Sequence, residues 1–341
     1  MRIMRWIHLS ILSGLLTSAC FAENQFKVLK KISVEGKDGW DCLTVDSEAQ
    51  RLYIAHGTKV DVLDIKTDKV IGTIPDTPGV HGVAVVPSLN LGFISQGKAD
   101  SVAIFDLNTF QKTGEVKTEK NPDIIIFDPA TSQVLAFNGR SQSATVIDAK
   151  QGKAVGTVAL DGKPEFAVAD GSGHIYVNLE DKNSLIKIDS HSLKVESTWP
   201  LPGCEEPSGL ALDVVHHRVF STCGGNKVMT VVDSDSGKMI ATLPIGDRVD
   251  GAAFDAELGL AFSSNGDGTL TVIQEDSPDK FHVLENATTQ IGARTVALDS
   301  TTHRLFLVTA QFGPKPEPTA EQPHPRPTII PGTFVVLVVG K

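Results

Sequence analysis

From Phe26 onward the chain is a succession of short apolar runs separated by turns rich in Asp, Ser, Gly and Lys. The segment from Pro207 to Arg248 shows the unit in full. GLAL is apolar, RVFST alternates, KVMTVV is β-branched, and KMIATLPI follows the turn DSDSG. Runs of this length bounded by turn residues predict four β-strands. The outline recurs every 40 to 44 residues. A four-strand period of that size predicts the blades of a β-propeller.

Seven units can be aligned. Their first strands are expected to end at Asp46, Val86, Asp128, Asp170, Asp213, Asp255 and Asp299. A large residue follows at a fixed slot of each second strand: Tyr53, Phe93, Leu135, Tyr176, Phe220, Phe262 and Phe306. One bulky side chain per unit suits packing of blade on blade. Third strands close on Asp64, Asp106, Asp148, Asp189 and Asp233, each opening a tight turn. Asp at that position accepts backbone hydrogen bonds, which is a structural task. The DSDSG turn lacks the closing Glu of a calcium loop and reads the same way. The last unit has only three strands, ending in FVVLVV, whereas Phe26 to Gly36 is a strand with no partner before it. Pairing the two seals the ring and leaves no free edge. The reading is an all-β, seven-bladed β-propeller, residues 23–341 forming one domain whose last blade is completed by the N-terminal strand.

Residues 1–22 are set apart. MRIMRW is basic, IHLSILSGLLTSA is mostly apolar, and small residues precede a polar start. That pattern is a signal peptide, cleaved after Ala22, and implies a periplasmic or secreted bacterial protein. A lipoprotein acylated at Cys20 is the alternative. No later stretch approaches the ~18 apolar residues of a membrane span. Removing the leader takes away two Arg and no acid, moving the net charge from -10 to -12. With no basic stripe to offset that charge, nucleic acid is not an expected partner. Of the cysteines that remain, Cys204 and Cys223 flank strands whose antiparallel pairing would bring them together, so a disulfide between them is expected in an oxidising compartment. Cys42 occupies a slot held elsewhere by Gly82, Ile124, Phe166, Gly209, Gly251 and Thr295. It reads as a buried, inert thiol.

Chemistry is expected where innermost strands begin, because those positions ring the channel mouth. Five places before the first-strand ends stand Asp41, His81, Asp123, Glu165, Ser208, Asp250 and Arg294. Four carboxylates around one funnel raise each other's pKa values unless a cation relieves them. Second-strand ends on the same face add His56, Gln96, Asn138, Cys223 and Asn265, with Asn178 one place off that register. Oxygen donors of this kind would suit Ca²⁺ or Mg²⁺, and His81 or His56 could serve as a base. The alternative is a wet mouth of solvated acids and hydrogen-bonded loop histidines. His216 and His217 fall in a turn on the opposite face and are expected in solvent. Gly313 to Thr333 is rich in Pro and so lacks regular structure. It is either a disordered surface loop or a flap beside the mouth.

The tetrads Tyr53-Ile-Ala-His56, Phe262-Ser-Ser-Asn265 and Phe306-Leu-Val-Thr309 carry a resemblance, together with the strand endings LALD, AAFD and VALD and the turns DAKQGK and DSDSGK. In these the chain resembles the YVTN-repeat family of WD40-like, seven-bladed propellers, in particular its YncE-like periplasmic members. The resemblance spans nearly all of residues 23–341. It implies an exported binding or scaffold protein and supplies no catalytic residues. A non-catalytic propeller that binds a small molecule or a periplasmic protein at its acidic mouth is therefore expected. A divalent-metal-dependent enzyme similar to the lactonase or lyase propellers, and a scaffold of an envelope complex, are the alternatives.

Overall fold

A computed structural model describes residues 25–36, 39–317, 319, 325 and 327–341. The expected leader, with Cys20, lies outside the described residues, as do several positions of the Pro-rich segment. Among the described residues twenty-eight strands, β1 to β28 in chain order, form seven four-stranded antiparallel sheets. Each sheet takes four consecutive strands except the last, whose order is β1-β28-β27-β26. The chain is a seven-bladed β-propeller. The seal is as the sequence predicts. β1 (Lys27–Ser33) runs antiparallel to β28 (Val335–Gly340), with Lys27 opposite Gly340 and Ser33 opposite Val335. Among the described residues no helix is long and apolar enough to cross a membrane.

The innermost strands are β2 (Trp40–Asp46), β6 (Val80–Val86), β10 (Pro122–Asp128), β14 (Pro164–Ala169), β18 (Pro207–Asp213), β22 (Val249–Asp255) and β26 (Val296–Asp299). Six end where expected. β14 stops one residue short of Asp170, whose carboxylate accepts instead from the amides of Ser172 and His174. Neighbouring inner strands touch all the way round, β26 against β2 included. Their approach is tight on one side. A Cβ on Gly209 would meet the Gly251 backbone at 2.7 Å, so no larger residue fits that slot.

The core is a set of clusters between blades. Tyr53, Phe93, Leu135, Tyr176, Phe220, Phe262 and Phe306 are all buried, as the fixed bulky slot predicts. Phe220 stacks on Phe254 of the next blade at 5.0 Å between centroids. Burying a side chain of this size contributes a few kcal/mol per position, on the order of 3. The turn aspartates do their expected work. Asp64, Asp106, Asp148, Asp189 and Asp233 each accept a backbone N–H two or three residues on. Asp233 spends its other oxygen on Arg218, so both of its oxygens are committed to structural partners. Cys204 and Cys223 are disulfide-bonded.

Candidate functional site

The starts of the inner strands do converge, through a feature that spacing alone does not reveal. In β2, β6, β10, β14, β18 and β22 the ladder to the second strand slips just after the first residue. Asp41, His81, Asp123, Glu165, Ser208 and Asp250 all fall in these bulges. A bulge frees a residue from the ladder and re-aims its side chain, and all of these but Ser208 meet at the mouth.

His81 Nδ1 lies 2.6 Å from Asp41 Oδ2 and 3.4 Å from Asp123 Oδ1. Arg294 Nε donates to Asp250 Oδ2 at 2.5 Å. Ser208 turns out of the mouth. It is buried, and its hydroxyl donates to the Val249 carbonyl. Lys163, which the equivalent-position count misses, reaches in from the preceding turn and pairs with both Glu165 and Glu180. It is legible only as a cation two residues before an acid. Lys163 and Arg294 thus both face the acids, and Lys163 brings Glu180 in beside them.

The titration of these groups follows from burial and crowding. Burial, then the Asp41 and Asp250 charges, pushes Asp123 up to about 6 against the pull of His81. Glu165 is pushed up to about 8 by burial and by Asp123, because one Lys163 ammonium is shared with Glu180. Burial and Asp41 raise Asp250 despite Arg294. For His81 burial works the other way, but the Asp41 hydrogen bond and the Asp123 charge outweigh it and raise its pKa. A nitrogen stands among the oxygens of Asp41, His81 and Asp123, all within 4.8 Å of one another. Burial, then the surrounding carboxylates, raises the Cys42 thiol well above its usual range. It is a free, buried thiol.

The second-strand ends are not part of the mouth, which corrects the expectation for His56, Asn138 and Asn265. All three are fully buried. Asn138 donates to Ser143 and Thr145, and Asn265 donates to Thr269 and Thr271, each within its own blade. Gln96 donates to Ser101, and Asn178 to the Ser208 carbonyl. His56 Nδ1 is 2.9 Å from Asp61 Oδ2, and its ring lies 4.2 Å from that of Phe334. A second strand sits one strand-width out from the axis, where a polar side chain draws its partners from its neighbours; His56 Nε2 and Asn138 Oδ1 are left without one.

Beside the ring is a cavity of about 500 Å³ that no sequence signal announced. Trp40, Ile291, Phe312 and Ile329 give it an apolar wall, and Arg248 and Arg294 stand at its edge. The base of the Pro-rich segment forms part of that wall. Phe312 pairs with Ile329, and Gly313 N donates to the Thr328 carbonyl at 2.8 Å. Trp40 lies 5.9 Å from Phe312 and 5.4 Å from Phe334 between ring centroids. Arg294 is bound to Asp250, whereas exposed Arg248 has no ion pair among the described residues.

No protein-family model and no curated protein matches the sequence. Solved structures do resemble it. A chain of the hydrazine synthase of Kuenenia stuttgartiensis is 16% identical with a TM-score of 0.71, over 80% of this chain and 94% of that one. A chain from a crystal structure of the mitotic checkpoint complex is 13% identical with a TM-score of 0.73, over 89% of this chain and 95% of that one. These likenesses are to the propeller fold.

Proposed function

We propose that this is an exported, divergent YncE-like propeller that binds a small amphipathic anion at the channel mouth. The cavity beside the ring carries this reading. Its volume of about 500 Å³ lies in the range of small-molecule sites, which are mostly apolar with a few placed polar groups. An apolar body would lie on Trp40 and Phe312, and its anionic group would meet Arg248. The polar ring next to it would select what else the ligand carries. The leader-like segment over residues 1–22 and the Cys204–Cys223 disulfide support export.

An anilinonaphthalene sulfonate, apolar and anionic, is a direct probe. Its fluorescence titration on the protein should saturate, and Arg248→Ala should weaken it by about tenfold, as expected for one charge-assisted contact. A Cβ on Gly39 would meet nothing within 4 Å, so Gly39→Leu should fill the cavity and abolish binding without unfolding the chain. Binding unchanged in both variants overturns the reading. The metal-dependent enzyme has one observation in its favour, the close set of Asp41, His81 and Asp123. It requires a stoichiometric divalent ion that His81→Ala removes, and elemental analysis of the purified protein decides it.

A further inference from the structure

At the other end of the inner strands a second cluster spans blades five and six. Asp213 closes β18, His216 lies in the turn that follows, and Glu275 is on β24 (Thr269–Ser277). Their donor atoms all lie within 4.8 Å of one another. His216 Nδ1 is 2.7 Å from Asp213 Oδ2 and 3.0 Å from Glu275 Oε1. Neither approach is aligned as a hydrogen bond. Asp213 Oδ2 and both Glu275 oxygens are buried with no hydrogen-bond partner. The two carboxylate side chains are 2% and 3% exposed. Asp213 has already committed its other oxygen to the Val215 amide.

The repeat makes Glu275 conspicuous. Its amide donates to the Gly259 carbonyl, the same closing bond that Ile65, Leu107, Ala149, Ser190 and Ser234 make in blades one to five. Those five residues are apolar or small, and all are buried. Blade six places a carboxylate in that slot and aims it at another carboxylate. Two buried acids in contact are costly without a cation. The solvated-turn expectation for His216 misses this, because Glu275 is about sixty residues away in sequence and on the neighbouring blade.

We propose that Asp213, His216 and Glu275 form a site for a first-row divalent transition ion of the Zn²⁺ class. Two carboxylates and an imidazole are ordinary Zn²⁺ donors, and the nitrogen disfavours Ca²⁺ and Mg²⁺. Three protein ligands leave a position open to solvent through the adjoining cavity of about 330 Å³. The ion ties two blades together. Arg218 marks the same seam, donating to the Pro278 carbonyl and to Asp279 on the blade-six turn. Because the ion bridges two blades, binding couples to stability.

The test is Zn²⁺ titration of the metal-stripped protein by calorimetry, paired with thermal unfolding with and without Zn²⁺. One equivalent should bind and raise Tm, and Ca²⁺ or Mg²⁺ should not substitute. His216→Ala, at a half-exposed side chain, and Glu275→Gln should each weaken binding by at least about tenfold and abolish the Tm rise. His81→Ala, at the mouth, should leave both unchanged. The proposal is overturned if no Zn²⁺ binds, if His216→Ala and Glu275→Gln bind as the wild type does, or if His81→Ala removes the equivalent. Misfolding of Glu275→Gln would leave His216→Ala to decide.

Discussion

Replacing Glu165 by Gln isolates the electrostatics of the mouth. Burial and the Asp123 charge raise this carboxyl from an ordinary 4.5 to about 8, against the pull of Lys163. In the unfolded chain the same group ionises near its ordinary value. Between those two pH values the folded state therefore holds a proton that the unfolded state has released, and stability falls as pH rises. The gap, at about 1.4 kcal/mol per pH unit, amounts to about 5 kcal/mol by the time pH exceeds the folded value. Below the ordinary value both states are protonated and nothing is lost. Gln carries no such proton. The variant should thus be close to wild type at about pH 4.5 and gain on it progressively, by about 3 kcal/mol at pH 7. Urea unfolding across this range, followed by tryptophan fluorescence, gives the difference directly. The opposite slope would refute the reasoning. If Gln loses ground as pH rises, the Lys163 pair dominates and the carboxyl is held down rather than up. A flat difference would mean that water screens the site.

Two further outcomes test the fold. Cys223→Ser removes a link across a sequence separation of 19 residues, and chain entropy sets the loss at about 3 kcal/mol; the fall in urea midpoint relative to the oxidised wild type measures it, and an unchanged midpoint would mean that the bond is not formed. On the sealing strand β1, Ile32 is 7% exposed and Leu29 is 45% exposed. Ile32→Ala should cost about 2–5 kcal/mol and Leu29→Ala about 0.5 or less, and equal losses would show that β1 does not pack as the seventh blade requires.

The sequence by itself determined the repeat, the seven blades, the aspartate turns and the seal between β1 and β28. These depend on period and local turn chemistry, which every unit states again, so an error in one is corrected by the other six. Five positions back from each strand end was also enough to find most of the ring. What each residue meets there was decided only by the tertiary structure. Lys163 enters from a turn outside the register, the bulges aim the side chains, and His56, Asn138 and Asn265 close on partners inside their own blades. Glu275 sits in a slot that is apolar or small in five other blades, and nothing near it in sequence reveals that Asp213 and His216 face it from the adjacent sheet. Strand period is a property of neighbours along the chain, whereas ionisation and ligand contact depend on neighbours across a blade seam, which the chain supplies only after it has closed into a ring.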